Sequence, residues 1–413
     1  MNKIFKGFKV ELDPNNRQAT LLKMNCGASR WAYNWALTKK KETLEKKEKI
    51  PNNIELHREL NKLKGTEALP WGYEVSKVAF QSGLINCDRA FQNFFARCKK
   101  KVKGKKGFPK FKSKKNEKQS FKLDGSIYIS DINHIKLPRI GEVKLKESGY
   151  IPLDAEIKSV TVSSKAGKWF VSCQIKDTAK VTSAPVNEVV GVDLGIKTLA
   201  TCSDGTIYKN PKALKKNLKK LKRKQRQLSR KKKGSKNREK TKKKLAKLHN
   251  RISNIRKDAL HKATSSIVQK NNVIVLENLS VSNMMKHHKL AQSIGDASFY
   301  EFRRQVEYKA KWNGRTVIIA NRFYPSSKLD HKSGKINNSL TLADRTVIHD
   351  DSTITDRDHN AAINLRNYYL NHMHNKNTAS FAGIQVCGEG SSVNGISQSY
   401  SPSMKQKSNR KFK

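Results

Sequence analysis

The start of the chain changes from an alternating hydrophobic pattern to a helical one. In "FKGFKVELDP" the apolar residues Phe8, Val10 and Leu12 occupy alternate positions until Pro14 ends the run. That alternation predicts a strand with one buried face. In the following "QATLLKMNCGASRWAYNWALTKKKETLEKKEKI" the apolar residues recur at intervals of three and four, which predicts a helix.

A second helix is predicted over 75–100, where apolar residues again follow the helical repeat. Its expected buried face consists of Val78, Leu84, Ile85, Phe91, Phe94 and Phe95. The segment 99–121 is basic and contains Gly, Pro and three phenylalanines, whereas "IKSVTVSSKAGKWFVSCQI" predicts a β-hairpin that turns at "KAG". Strands therefore flank the helices on both sides, as a helical insertion into a small β-barrel would produce.

After the polar linker 176–188, short apolar strands alternate with helices, which predicts a second, mixed α/β domain. Its strands are expected within 189–210, 271–281 and 315–325, and its helices at 298–314 and 359–373. The residues from about 375 onward are rich in Ser, Asn, Gly and Lys and predict disorder.

A strongly basic segment interrupts this second domain. Residues 211–258 contain 23 Lys and Arg and two acids. Leucines and isoleucines at helical spacing form two sets on either side of "GSKN" at 234–237. This pattern predicts an antiparallel helical hairpin with a narrow apolar seam and basic outer faces.

The charge of the whole chain points to a polyanionic partner. The 413 residues include 86 Lys and Arg against 34 Asp and Glu, a net charge of +52. Phosphate contacts by such residues dominate nucleic-acid affinity, so nucleic acid is the expected partner. A membrane surface is the alternative, but the sequence has no apolar run of about 18 residues and no signal peptide.

The cysteines predict neither a metal ribbon nor a redox centre. None of the six forms a C-x-x-C pair. Scattered cysteines of this kind fit the reducing cytoplasm.

Three carboxylates are placed where catalysis would need them. Asp193 lies within "VVGVDLGI", Glu277 ends the apolar "VIVLE", and Asp358 precedes a helix. Each also has a structural interpretation: Asp193 as the cap of a turn before Gly195, Glu277 as the partner of a hairpin lysine, and Asp358 as a helix N-cap. Taken together in so basic a chain, the three favour a metal site.

Carboxylates that converge repel one another unless a divalent cation holds them. Mg²⁺ prefers hard oxygen ligands and keeps water molecules for phosphate chemistry. Two such ions about 3.5–4 Å apart activate water and stabilise the leaving oxygen of a phosphodiester. The set Asp193, Glu277 and Asp358 therefore predicts a two-Mg²⁺ phosphodiesterase site.

The motifs "GVDLGIK", "IVLENLSV" and "DRDHNAAINL" resemble the three acidic motifs of the RuvC-type nuclease domain in TnpB proteins, which insertion sequences encode and which are ancestral to type V CRISPR effectors. "ASRWAYNWAL", "FPKFK", "LPRIGEVK" and "YPSSKL" stand in the expected order, and the resemblance covers most of the chain. It implies that Asp193, Glu277 and Asp358 are the metal ligands.

The resemblance implies an α+β multidomain protein with an oligonucleotide-binding-like β-barrel (WED), a helical insert (REC) and an RNase H-like RuvC domain. The implied divisions are WED at 1–14 and 100–185, REC at 15–99, RuvC at 186–376 with its hairpin at 211–262 and a degenerate zinc-ribbon segment at 326–356, and a disordered basic tail at 377–413.

The resemblance also implies partners: a guide RNA and a target double-stranded DNA that carries a short adjacent motif, with no membrane. The guide pairs with the DNA while the protein reads the adjacent motif. Lys77 and Gln81 match the positions that family members use for this reading, and Lys can address guanine and Gln adenine. A solvated helix face is the alternative for this pair. The expected location is the cytoplasm of a bacterium or archaeon, at the nucleoid.

The sequence departs from the family where a zinc ribbon with two C-x-x-C pairs is usual. The equivalent positions are Asp330, Ser333, His349 and Ser352. Two serines are poor zinc ligands, so a structural zinc is not expected. His331, Asp350 and Asp351 are alternative ligands that no spacing supports, and Arg345 is a candidate phosphate contact.

Five functions remain open from the sequence. The intact acidic set favours an RNA-guided DNA endonuclease, and the altered ribbon motivates an RNA-guided DNA-binding protein that no longer cuts, as a repressor or targeting module. A CRISPR-associated effector of the same architecture would differ in using a crRNA. A basic RNA-binding protein without catalysis would leave the three motifs unexplained, and a transposase fits the basic hairpin less well.

Overall fold

The computed structural model describes residues 3–100, 107–114, 119–178, 185, 187–341, 344–374 and 385–386. Part of the basic segment 99–121 and nearly all of the expected tail 377–413 therefore lie outside the described residues. No helix within the described ranges is long and apolar enough to cross a membrane.

The described residues of the first half of the chain build one antiparallel sheet, three α-helices and a short 3-10 helix, Pro70–Tyr73. In chain order its elements are β1 Lys3–Asp13, α1 Asn16–Glu45, α2 Asn53–Leu63, α3 Lys77–Lys99, β2 Gln119–Leu123, β3 Tyr128–Asp131, β4 His134–Leu137, β5 Gly141–Leu145, β6 Ile157–Lys165 and β7 Lys168–Thr178. The strand order is β2-β6-β7-β1-β5-β4-β3. In the described pairings β2 and β3 are the two edges, so closure of a barrel stays a prediction.

Along the chain, helices α1 to α3 lie between β1 and the other six strands of the sheet, in the order that the sequence patterns predict. One continuous apolar core joins them to the strands, from Val10 on β1 through Phe80 on α3 to Val171 on β7. Asn15 caps α1 by accepting a 2.9 Å hydrogen bond from the Gln18 N–H. The helical insert therefore shares its core with the sheet.

The buried face of α3 differs from the predicted one. Leu84 and Phe91 are buried, but Ile85 and Phe95 are exposed and Phe94 is half-buried. Gly83 packs closely against Ser29 and Ala32 of α1, and successive helical residues are rotated by about 100°, so Ile85 points away from α1. The three- and four-residue spacings of apolar residues in this segment allow two neighbouring faces of the helix to be the buried one. Packing against α1 selects the face that contains Leu84 and Phe91.

The second half builds a mixed sheet with helices around it. Its elements are β8 Asn187–Asp193, β9 Thr198–Cys202, β10 Ile207–Lys209, α4 Ala213–Ser229, α5 Lys236–Lys270, β11 Asn271–Leu276, α6 Val281–Met284, α7 His288–Ala297, α8 Phe299–Trp312, β12 Thr316–Ile319, β13 Thr346–Ile348, β14 Ile354–Asp356, α9 Arg357–His374 and β15 Gln385–Val386. The strand order is β10-β9-β8-β11-β12-β15. Strands β8, β11 and β12 are parallel, whereas β9 and β10 are antiparallel neighbours.

Two elements depart from the sequence expectations in this half. Strand β15 pairs with β12 at 385–386, where disorder was predicted, because backbone pairing at a sheet edge needs little hydrophobic sequence. Helix α5 continues to Lys270, beyond the predicted hairpin end at 262, because Ile267 and Val268 pack into the core of the second sheet.

The basic hairpin is formed by α4 and the first part of α5. Its seam holds Ala213, Leu221, Leu248 and Ile252, whereas Ile255 is exposed. The buried carboxylate of Asp296 on α7 accepts hydrogen bonds from the Leu214 and Lys215 N–H groups, at 2.9 and 3.3 Å. A side chain from another helix therefore caps the start of α4.

Candidate active site

Two of the three predicted carboxylates lie at the ends of neighbouring parallel strands. Asp193 is the last residue of β8, and Glu277 follows the last residue of β11. Val192 is in register with Leu276. Because the carboxyl ends of parallel strands meet at one edge of a sheet, the two carboxylates lie side by side there.

The third carboxylate reaches this edge on α9, which crosses β8 at Gly191. A Cβ at Gly191 would lie 2.0 Å from the Ala362 carbonyl oxygen and 2.5 Å from the Arg366 nitrogen. The helix backbone therefore rests directly on the strand. Asp358 lies one turn before Ala362, and its Oδ2 is 3.8 Å from the Cβ position of Gly195.

The structural interpretations of the three acids do not hold. Asp356 caps α9, because its Oδ1 accepts hydrogen bonds from the Asp358 and His359 N–H groups at 2.9 and 3.2 Å. Glu277 accepts a hydrogen bond from the Ser326 hydroxyl rather than pairing with a hairpin lysine. Among the described residues, Asp193 makes no capping hydrogen bond to the turn at Gly195.

The electrostatics of the cluster favour a bound cation. Burial raises the pKa of Asp193 well above its ordinary value, and the nearby charges of Glu277 and Asp358 raise it further. Burial also raises the pKa of Glu277, against the hydrogen bond from Ser326. A buried carboxyl group that faces two other acids fits a hard divalent cation, which would relieve the repulsion on Asp193.

A cavity of about 350 Å³ opens beside Glu277. Its walls include Tyr300, Arg303 and Arg304 on α8. Tyr300 is 69% exposed, so an aromatic ring and two guanidinium groups stand next to the carboxylate edge.

Hydrogen bonds between their side chains join three of the four degenerate ribbon positions, Asp330, Ser333 and His349. The Nδ1 of His349 is 2.6 Å from Asp330 Oδ1, and its Nε2 is 2.7 Å from the Thr355 hydroxyl oxygen. Asp330 also accepts from the Ser333 hydroxyl at 2.8 Å and from the Lys332 N–H at 2.9 Å. We call Asp330, Ser333, His349 and Thr355 the polar clasp.

Donor atoms of Asp330, His331 and His349 lie within 4.8 Å of one another, a spacing that a metal would also allow. The polar clasp does not fit zinc, however, because both ring nitrogens of His349 and both oxygens of Asp330 already have partners. Burial raises the pKa of Asp330, but the hydrogen bonds from Lys332, Ser333 and His349 outweigh it and hold that pKa below its ordinary value.

The outer part of this segment carries exposed ion pairs. Lys332 Nζ lies 2.6 Å from Asp351, and Lys335 Nζ lies 2.9 Å from Asp350. Ser352 has a φ of 61° in the turn between β13 and β14, and its N–H donates to the His349 carbonyl oxygen at 2.9 Å. Asp350 and Asp351 therefore serve as partners of lysines.

Two asparagines join the ribbon segment to α9. The Oδ1 of Asn360 lies 2.8 Å from His331 Nδ1, and the Asn364 amide donates to the Ser326 carbonyl oxygen at 2.9 Å. Since Ser326 also contacts Glu277, the segment 326–331 is held both to α9 and to the sheet edge that carries the carboxylates.

The remaining predicted contacts lie on the surface. Lys77 is exposed in the first turn of α3, and Gln81 is half-buried one turn later on the same side. Arg345 is exposed, and its carbonyl oxygen accepts from the Arg357 N–H at 2.9 Å. Neither Lys77 nor Gln81 belongs to the carboxylate cluster, whereas Arg345 is bonded through its backbone to the residue before Asp358.

Sequence reasoning missed Gly191, Ser326 and Asn360. Gly191 interrupts an otherwise apolar strand, which is a signal of close backbone approach. Ser326 and Asn360 carry no such signal, because a single polar residue next to a strand or in a first helical turn is ordinary. Their roles depend on which distant residues the fold brings to them.

Comparison with known families places three models along the chain. They are described as "Probable transposase" of the OrfB_IS605 type over residues 160–288, a "Cas12f1-like, TNB domain" over 299–365 and a "Helix-turn-helix domain" of the OrfB_IS605 type over 1–49.

Similar proteins cover nearly the whole chain. A Streptomyces pristinaespiralis protein named "Putative RNA-guided DNA endonuclease" is 36% identical over 368 residues, which are 88% of this chain and 89% of that protein. InsQ of Escherichia coli K12, which bears the same description, is 33% identical over 342 residues, 79% of this chain and 83% of that protein.

A solved structure shares the fold. The chain in "Cryo-EM structure of the Cas12f1-sgRNA-target DNA complex" superposes with a TM-score of 0.50 at 13% identity, over 89% of this chain and 99% of that one. At this identity the likeness concerns the fold alone.

Proposed function

Since the chain belongs to the TnpB family of RNA-guided DNA endonucleases, we propose that it cuts guide-matched DNA with Asp193, Glu277 and Asp358. The observation that carries this proposal is their convergence at one sheet edge, where burial and neighbouring charge raise the pKa of Asp193.

Nucleases of this type generally depend on divalent metal, and we assign two Mg²⁺ ions to the three carboxylates. Such ions supply an activated water and stabilise the charge of the leaving oxygen. The contribution of the chain is to hold the ligands still: Gly191 seats α9 on β8, and Ser326 fixes one oxygen of Glu277.

The guide RNA and the target DNA are assigned to the basic surfaces between and around the two sheets. The β1–β7 sheet corresponds in this proposal to the WED barrel, α1–α3 to REC and the second sheet to the RuvC domain. The hairpin of α4 and α5 exposes most of its lysines and arginines, as a phosphate-binding surface would. The protein would act in the cytoplasm, at the nucleoid.

Lys77 and Gln81 are assigned to reading of the adjacent motif. Lys64 lies close to Lys77 and Arg139: burial lowers the pKa of Lys64, and those two positive charges lower it further. Lys64 and Arg139 would attract a DNA backbone and leave Lys77 and Gln81 to address base edges.

The test is cleavage of a guide-matched plasmid by the purified protein with its bound RNA. Asp193→Ala is expected to reduce the cleavage rate roughly 10³-fold or more while leaving guide-dependent DNA binding in place. Asp124→Ala, which removes an exposed acid from the first sheet, is the matched control and should cut normally. Cleavage that survives Asp193→Ala would overturn the assignment.

The altered ribbon motivates one alternative, an RNA-guided binder that does not cut. Tight guide-dependent binding without nicking by the wild-type protein would favour it. Sequencing of the RNA that co-purifies would separate a transposon-end guide from a crRNA.

A further inference from the structure

The loop after β12 presents the most exposed large apolar side chain among the residues that the structure describes. Phe323 is 88% exposed. A single exposed apolar residue is ordinary on a protein surface. Three further observations, on the position, rigidity and charge of this loop, distinguish Phe323.

The loop lies at the catalytic edge. Strand β12 is the parallel neighbour of β11, and the Ala320 N–H donates to the Leu276 carbonyl oxygen at 2.8 Å. Leu276 directly precedes Glu277, and Ser326, three residues after Phe323, donates to Glu277. The ring is therefore carried by the same edge as the three carboxylates.

The loop is held in place on both sides of the exposed ring. The Asn321 side chain accepts from the Phe323 N–H at 3.0 Å, and the Tyr324 hydroxyl donates to the Asn364 carbonyl oxygen at 3.1 Å. The Tyr324 ring packs edge-on against Tyr368, with centroids 4.8 Å apart. Phe323 is thus displayed to solvent by a loop whose neighbouring residues are fixed.

The loop also carries a positive charge that a nucleic-acid phosphate could pair with. Arg322 is exposed, and no hydrogen bond or ion pair joins its guanidinium to the described residues. An unpaired guanidinium next to a free aromatic ring matches the alternation of phosphate and base along a single strand. A protein partner would not need that alternation.

We infer that Phe323 stacks on one nucleobase of the DNA strand that enters the carboxylate site, with Arg322 on an adjacent phosphate. The inference rests on the proposed cleavage by Asp193, Glu277 and Asp358. Stacking would position the strand, so Phe323 is a positioning residue that touches substrate while the carboxylates carry the chemistry.

The test is a scan of abasic nucleotides through both strands of a synthetic guide-matched duplex, cut by the full-length protein with its RNA under single-turnover conditions. The wild-type rate is expected to fall about tenfold at one abasic position near the cut. The cleavage rate of Phe323→Ala on intact DNA should be about tenfold below that of wild type. Introducing the abasic nucleotide at that position should not lower the rate of this variant further, because the contact is already gone. Phe323→Trp should restore the rate.

Ile207→Ala is the matched control, since Ile207 is 60% exposed on β10 at the opposite side of the same sheet; it should cut like wild type. The inference would be overturned if Phe323→Ala cut like wild type. It would also be overturned if the rate losses caused by Phe323→Ala and by the abasic nucleotide multiplied when the two were combined. Non-additive effects of Phe323→Ala and abasic positions in the guide RNA, rather than in the DNA, would also overturn it. Failure of the proposed function is a separate result, namely persistent cleavage by Asp193→Ala.

Arg322→Gln provides an independent measurement. It should slow cleavage at low salt and approach wild type as salt rises, because an exposed phosphate contact is screened. A loss that does not depend on salt would contradict the phosphate assignment.

Discussion

The carboxylate cluster and the polar clasp are two acidic sites held by the same helix, and they differ in how their oxygens are used. At the cluster, burial and the charges of Glu277 and Asp358 raise the pKa of Asp193, and the Ser326 hydroxyl is the partner of Glu277. At the clasp, Asp330 and His349 have all their side-chain donors and acceptors engaged.

This difference supports the proposal that the carboxylate cluster, and not the polar clasp, binds metal. A buried carboxylate that faces like charges is stabilised by a bound cation, whereas a network with every group hydrogen-bonded would lose hydrogen bonds by binding one. We therefore propose that hydrogen bonds hold the clasp together without a metal, and that the cluster is the site that binds one.

The largest expected effect comes from chelation. Removal of divalent metal with EDTA should abolish cleavage, because the cluster is assigned to Mg²⁺, and added Mg²⁺ should restore it. Backbone hydrogen exchange over 346–356 should stay unchanged, and metal analysis should find no stoichiometric zinc. Loss of protection over 346–356 on chelation would show that the clasp, too, depends on metal.

Asp330→Ala should destabilise the ribbon segment by about 2–3 kcal/mol, since it leaves the buried His349 ring and the Ser333 hydroxyl without their acceptor. Faster hydrogen exchange over 346–356 is the measurement. Asp330→Asn keeps one acceptor oxygen and should cost less. Equal exchange in Asp330→Ala and wild type would contradict the clasp.

Asp193→Asn should stabilise the protein, whereas Asp330→Ala should destabilise it. In metal-free buffer it should raise the free energy of unfolding by about 1 kcal/mol, because it removes one charge from a repelling, buried set. Thermal unfolding checks this, with Asp124→Asn as the control for a change of net charge. A destabilised Asp193→Asn would mean that the carboxylate has a structural role.

The smallest effect is expected at the exposed pair of Lys335 and Asp350. Asp350→Ala should change stability by less than about 0.5 kcal/mol, because solvent screens an ion pair of this kind. Exchange over 346–356 should match wild type. A larger effect would extend the clasp to the surface.

The sequence predicts the elements that carry a strong local pattern. Alternation predicts β1 and the β6–β7 hairpin, a short apolar run predicts β11, and acids at the ends of apolar runs single out Asp193 and Glu277. Each of these depends on residues close together in sequence, where side-chain spacing follows directly from backbone geometry.

Other features depend on contacts between distant segments. The α3 face that contains Leu84 is chosen by α1, and the continuation of α5 to Lys270 is chosen by the core of the second sheet. Ser326 contacts Glu277 across 49 positions. No local repeat encodes such a pairing, so the second layer of the site had to come from the structure.

Helix α5 passes into β11 without an intervening residue, since it ends at Lys270 and the strand begins at Asn271. Its 35 residues span about 52 Å at 1.5 Å per residue. A one-degree tilt about its C-terminal end would move the hairpin end by about 0.9 Å. Because Ile267 and Val268 near this C-terminal end pack into the core of the second sheet, we expect a displacement of the basic hairpin to be transmitted to the strand that leads to Glu277.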